Sequence, residues 1–200
     1  MKTSIKTLIA TTLTALVLSS ALFTTTVSAT EKEPEKNIKI ADFKRISVKG
    51  NVELTIVQKG TFGISYNDDN YGAAKVVQDG DALKITSMST EKTRLTVVVN
   101  DIYRIEASEN AVVKTDGKLS TKYLQIFLKG NAHADINTSS EGLYTVIADD
   151  ADLKLSGSTD NHTLVMGKSQ KLTIDKFAAL KTNISSVETA AIEKEIAAIK

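Results

Sequence analysis

Residues 103–136 read YRIEASENAVVKTDGKLSTKYLQIFLKGNAHADI, and the fold is decided there. Apolar and polar residues alternate in Tyr103-Arg-Ile105-Glu-Ala107, Ala111-Val-Val113, Leu124-Gln-Ile126-Phe-Leu128 and Ala132-His-Ala134-Asp-Ile136. Period-two alternation marks half-buried strands. The step from Tyr103 to Leu124 equals the step from Ala111 to Ala132, so both strands recur together. Further along, Tyr144-Thr-Val146 and Leu164-Val-Met166 continue the first series at nearly the same step. Ala151-Asp-Leu153 and Leu172-Thr-Ile174 continue the second with a slip of about one residue. A fixed period of roughly 20 residues with two short strands per unit is the signature of a solenoid. One such unit cannot bury its apolar face alone, whereas stacked units pair strand on strand and make a continuous ladder of Ile, Leu, Val and Ala. Ala111, Ala132 and Ala151 are small enough for a tight inner corner. The reading is therefore an all-β fold over 38–185, a single-stranded β-helix or β-solenoid with coils of about 20 residues. An antiparallel sandwich with evenly spaced strands is its competitor.

The flanks agree with this. Ile46-Ser-Val48, Val52-Glu-Leu54-Thr-Ile56, Leu83-Lys-Ile85 and Leu95-Thr-Val97 alternate in the same way, separated by turn residues such as Lys49-Gly50-Asn51 and Asp79-Gly80-Asp81. No helical stripe occurs between Phe43 and Ile184. The tail is different. Residues 186–200 carry Ile192, Ile196 and Ile199 with Ala between them, so a short amphipathic cap helix is expected, with a further strand as the alternative.

At the other end, Lys2 and Lys6 precede an uncharged stretch from Thr7 to Thr26, and Val27-Ser28-Ala29 has the look of a cleavage site. Residues 1–29 read as a secretory signal peptide cut between Ala29 and Thr30, and 30–37, with the only Pro at 34, as a flexible lead-in. A retained membrane anchor is the alternative. The chain has no Cys, which removes disulfides, thiol catalysis, Cys-ligated metals and lipid attachment at Cys. Without Lys2 and Lys6, 23 basic residues face 24 acidic ones, so nothing electrostatic draws the product to nucleic acid. With no other apolar segment of spanning length, the product is expected to be periplasmic or released.

Phe43-Lys-Arg-Ile46-Ser-Val48-Lys-Gly50-Asn51-Val52-Glu-Leu54-Thr-Ile56, then Gly60, Ile64 and Tyr66, then Asp79-Gly80-Asp81-Ala82-Leu83-Lys84-Ile85, follow a recognisable layout. From Phe43 to about Phe177 the chain resembles the auto-transporter adhesin head domain, also called the GIN domain, common among exported proteins of Bacteroidota. The resemblance implies a right-handed, helix-like all-β stack outside the cytoplasm and an adhesion-like role, and it brings no catalytic residues. The corners Glu109-Asn110-Ala111 and Asp149-Asp150-Ala151 lack the glycines usual in that family, and only Gly130-Asn131-Ala132 keeps one.

Candidate sites are few. Tyr66-Asn67-Asp68-Asp69-Asn70-Tyr71 is a polar loop between two tyrosines, a composition found on recognition surfaces. Tyr103 and Tyr144 share a repeat phase with Leu124 and Leu164, which argues for packing. Asp149, Asp150 and Asp152, with Asp135 one coil away, form the densest acidic cluster; solvated turn residues are expected there rather than a calcium site. His133 and His162 are the only histidines and are expected to face solvent. No catalytic residues, metal ligands or cofactor are assigned. The expected function is an exported, non-catalytic structural or adhesion-like binding module at the cell envelope, with a glycan or an envelope protein as partner. The alternative is a carbohydrate-active β-helix enzyme, a polysaccharide hydrolase or lyase, which would need a carboxylate pair beside stacked aromatics.

Overall fold

Strong β-formers in alternation dominate the chain, and the computed structural model, which describes residues 40–67, 73–167 and 170–186, is all-β. Thirteen strands follow one another: β1 (Arg45–Lys49), β2 (Val52–Gln58), β3 (Gly63–Tyr66), β4 (Ala74–Asp79), β5 (Ala82–Ser87), β6 (Thr93–Val99), β7 (Arg104–Ser108), β8 (Val112–Asp116), β9 (Leu119–Ser120), β10 (Tyr123–Leu128), β11 (His133–Ile147), β12 (Asp152–Met166) and β13 (Lys171–Ser185). No helix occurs among the described residues. All thirteen belong to one curled mixed sheet. Its pairings are parallel except at β3–β6 and β4–β5, so the antiparallel sandwich does not apply.

The strands form two rows. One runs β4-β5-β1-β7-β10 and continues into the second halves of β11, β12 and β13. The other runs β3-β6-β2-β8 and continues into their first halves. The β1–β2 layer lies between β5–β6 and β7–β8, so the chain doubles back after β2 before the stack grows onward. Antiparallel β3 and β4 finish the rows at that end.

The repeat is visible in the register. Ile105 pairs with Ile126, Ile126 with Thr145, Thr145 with Leu164 and Leu164 with Ile184. In the second row Val113 pairs with Ala134, Ala134 with Leu153 and Leu153 with Leu172. Ile105, Ile126, Val113, Ala134, Leu153 and Leu155 are wholly buried in one continuous core, and burying each large aliphatic side chain contributes about 1.5–3 kcal/mol. Ala111, Ala132 and Ala151 are also fully buried at the turns, as their size suggests.

One expectation is corrected. From β10 to β11 the repeat is one position shorter than the alternation suggests, because Leu124 pairs with Leu143 rather than with Tyr144. In a strand such a slip exchanges the faces. Leu143, Thr145 and Ile147 therefore point inward, while Tyr144 lies outside beside Phe127, ring centroids 5.8 Å apart. Tyr103 is likewise exposed, and its hydroxyl donates to Asp81 Oδ2 at 3.2 Å. The signal peptide, cleavage site and lead-in lie outside the described residues, as does the expected cap beyond Ser186.

Candidate functional site

The two rows meet at a corner in the middle of the long strands, where the sequence turns from apolar alternation to Asn137-Thr-Ser-Ser-Glu-Gly142. Thr138 points inward, fully buried, and its hydroxyl donates to the Leu119 carbonyl at 2.9 Å. One layer on, Gly157 takes φ +100° and lets the Thr138 carbonyl approach so closely that no side chain fits there. On the other side Gln58 grips Ser120: its Nε2 donates to the Ser120 carbonyl at 2.8 Å, and the Ser120 N–H donates to its Oε1 at 2.7 Å. The Thr121 N–H donates to the Ser139 carbonyl at 3.1 Å, and the Glu141 and Gly142 N–H groups donate to the Lys122 carbonyl at 3.0 and 3.1 Å.

A shallow, open groove at this corner is lined by Ser120, Thr121, Lys122, Ser139, Ser140 and Glu141. Ser120, Ser139 and Ser158 stand in register across β9, β11 and β12, on neighbouring strands about 4.8 Å apart. Ser120 and Ser158 are exposed and Ser139 is partly so. Ser140 Oγ donates to Thr159 Oγ1 at 3.0 Å. At the rim, the Lys122 ammonium lies 3.9 Å from Glu141 Oε2, and both side chains are more than half exposed, a pair that contributes little to stability and leaves both charges accessible. Beside them Tyr123 is 57% exposed. Its ring lies over Gly142, where an added Cβ would come within 2.9 Å of Cδ1. The Lys122 Nζ is 5.5 Å from the ring centroid. The groove thus offers a row of hydroxyls, one cation, one carboxylate and an aromatic face. Glycoside hydrolysis uses two carboxyl groups, and the groove lining contains one.

Shifted titrations lie elsewhere and tie layers together. Lys114, donating at 2.7 Å, with Lys92 and Arg94 nearby, holds the Glu53 carboxyl below its ordinary range. Arg45, bonded through Nε at 3.0 Å, does the same to Asp81, helped by Tyr103.

The residues singled out in the sequence are dispersed. Tyr66 packs against the core, and its hydroxyl donates to the Ala74 carbonyl at 2.8 Å. Asn67 Oδ1 accepts from Thr96 Oγ1 at 2.7 Å, while Asp68, Asp69, Asn70 and Tyr71 lie outside the described residues. Asp149 sits at φ 57° and accepts from the Gly130 N–H at 2.9 Å, joining the turns of two neighbouring layers. Asp152 lies 3.3 Å from His133 Nδ1, and Asp135 lies 3.3 Å from Lys154 Nζ. Among the described residues no three acidic or histidine side chains are grouped to hold a metal ion. His162, expected at the surface, is buried: it stands two positions before the inward Leu164 and shares its face, its Nε2 lies 3.2 Å from Thr145 Oγ1, and its ring meets Phe177 edge-on at 5.6 Å. Sequence reasoning missed Tyr123 and the serine row. The signal was present, because Ser120, Ser139 and Ser158 recur at equal intervals along the chain.

The same architecture occurs in solved structures. A putative adhesin from Bacteroides fragilis is similar, with a TM-score of 0.69, 18% identity, and coverage of 76% of this chain and 75% of that one. A putative adhesin from Parabacteroides distasonis follows at TM-score 0.59 and 12% identity, covering 76% and 77%. A putative lipid binding protein from the same organism matches at TM-score 0.55 and 11% identity, covering 76% and 78%. At these identities the likeness is one of fold. No curated protein matches the chain. Residues 42–193 match the model described as putative auto-transporter adhesin, head GIN domain, and the chain belongs to that family.

Proposed function

We propose that this protein is an exported, non-catalytic binding module of the cell envelope and that its corner groove holds an extended, hydroxyl-rich chain, a glycan. The observation that carries the reading is the exposed Tyr123 ring beside the in-register hydroxyls of Ser120, Ser139 and Ser158. Sugar rings present apolar faces that settle on an aromatic side chain and hydroxyls that exchange hydrogen bonds with a serine row. Lys122 and Glu141 add a choice between charged and neutral sugars. Membership of a family named for adhesion supports the same role. Export rests on residues 1–29, with cleavage between Ala29 and Thr30. The near-constant parallel registers from β7 to β13 support a single-stranded β-solenoid, its right hand being what the family implies, which repeats the groove's chemistry from layer to layer. An envelope protein docking on the same corner is the competing occupant, and the loop Tyr66–Tyr71 is a second, separate contact surface.

The test is a glycan array probed with the purified chain, followed by calorimetry on the best hit. Tyr123→Ala is expected to weaken binding at least about tenfold, the equivalent of 1.4 kcal/mol. Absence of binding to every glycan, or binding indifferent to Tyr123→Ala, would overturn the proposal.

A further inference from the structure

We propose, building on the glycan reading of the corner groove, that its occupant is an uncharged, flat-ribbon chain of equatorially linked sugars, lying along the stack axis with one sugar per layer. Ser120, Ser139 and Ser158 pair residue for residue on β9, β11 and β12. A row that crosses successive strands at one register position runs perpendicular to the strands, along the stack, and steps by one strand spacing of about 4.8 Å. The opposite bank keeps the same direction. Tyr123, Gly142 and Asn161 are in register on β10, β11 and β12, and Asn161 is exposed. The Tyr123 ring leaves its own layer and lies over Gly142 in the next, so the aromatic surface also extends along the axis.

Within one layer the chemistry does not repeat. From Ser139 the chain passes to Ser140, Glu141 and Gly142: a hydroxyl, a carboxylate and bare backbone. A ligand built from repeating units therefore finds repeating partners only along the stack. An equatorially linked pyranose chain fits that step. It is a flat ribbon that advances by close to one strand spacing per sugar, so its ring faces follow the Tyr123 surface while edge hydroxyls meet one serine per layer. A chain with axial linkages coils, and its next rings turn away from the row. Lys122 and Glu141 leave the groove lining with no net charge, which suits an uncharged chain. The row is also bounded. On one side of Ser120 stands Gln58, whose amide is committed to the Ser120 backbone. On the other, Ser158 pairs with Ala178, which has no hydroxyl. Three layers therefore set the length of chain that is read.

Calorimetry of the full chain with oligosaccharides of increasing length, from a single sugar to a hexamer, tests this. The probes are the flat β-1,4-linked series of glucose, N-acetylglucosamine and mannose, and the coiled α-1,4-linked glucose series. In at least one flat series affinity is expected to rise about threefold or more per added sugar up to the trisaccharide, as an added hydrogen bond allows, and then to level off. The α-linked series is expected to show no such rise. Ser158→Ala, at the far end of the row, is expected to cut the gain from disaccharide to trisaccharide by about threefold. A flat series that binds without dependence on length, a rise that continues to the hexamer, equal gains in the α-linked series, or a Ser158→Ala chain that keeps the full gain would each overturn the proposal. So would failure of all three flat series to bind. In that case another glycan whose binding responds to Tyr123→Ala would leave the broader reading of the groove standing, and absence of all glycan binding would remove both.

Discussion

Replacing Gly157 by Ala tests how the corner is built. Gly157 holds φ +100°, a conformation that costs an L-residue about 1–2 kcal/mol. The added Cβ would overlap the Thr138 carbonyl oxygen and stand 2.9 Å from both the carbonyl carbon and Asn137 Oδ1, where real Cβ atoms essentially never come below 3.0 Å. The neighbours are backbone and a part-buried amide, so the layer must shift, an overpacking cost of about 1–3 kcal/mol. The shift moves Thr138, whose hydroxyl holds Leu119 in place, and loosening that bond adds about 0.5–1.5 kcal/mol. Together these give a loss of roughly 3–6 kcal/mol. Gly80→Ala is the control: φ is +58° and nothing lies within 4 Å, so only the backbone cost of about 1–2 kcal/mol remains. Urea unfolding followed by far-ultraviolet circular dichroism reads both. At about 2–4 °C per kcal/mol for a chain of this size, Gly157→Ala should also lower Tm by about 6–24 °C. A Gly157→Ala chain no less stable than Gly80→Ala would refute the close approach at the corner.

Ile126→Ala, in the middle of the ladder and wholly buried, should cost about 2–5 kcal/mol by the same urea titration, whereas Ser158→Ala on the exposed row should change stability by less than about 0.5 kcal/mol. Burial holds the His162 imidazole below its ordinary 6.5, so the unfolded chain binds the proton more readily than the folded one. Stability should therefore be flat with respect to this group above pH 6.5 and fall as pH drops below it, and His162→Leu should remove that slope in urea titrations between about pH 6.5 and 5. Glu53 titrates lower because Lys114, Lys92 and Arg94 favour its charged form, so its contribution is present above pH 4.5 and lost as pH falls through its depressed value. Glu53→Gln should cost about 1 kcal/mol at pH 7, with the gap to the parent closing in acid.

The strands and their repeat were legible because burial imposes a period of two and stacking imposes a second, longer period, and both leave marks in residues 103–136. The facing of Tyr144 was not. Leu143-Tyr-Thr-Val-Ile147 is apolar in both phases, so only the register can say that Thr145 points inward; the step shortens at the corner, where the stretch from Lys114 to Leu119 faces the shorter one from Asp135 to Thr138. His162 shares the phase of the inward Leu164, but a single imidazole after Asp160-Asn161 carries no apolar signal of burial. The insertion of β1–β2 between later layers was also invisible, because it is a non-local pairing with no local signature. At the groove, the serines recur at a regular interval but look like turn residues, and Tyr123 looks like the ordinary start of a strand. What brings them together is Gly142, whose missing side chain lets the tyrosine ring lie across the next layer.

The most direct measurement is a nuclear magnetic resonance titration of the isotope-labelled chain with the oligosaccharide that binds best on the array. Expected are saturable shifts of the Ser120–Tyr123 and Ser139–Gly142 amides, lost in Tyr123→Ala. Shifts confined to the Tyr66–Tyr71 loop, or no shifts at saturating sugar, would contradict the corner groove as the binding site.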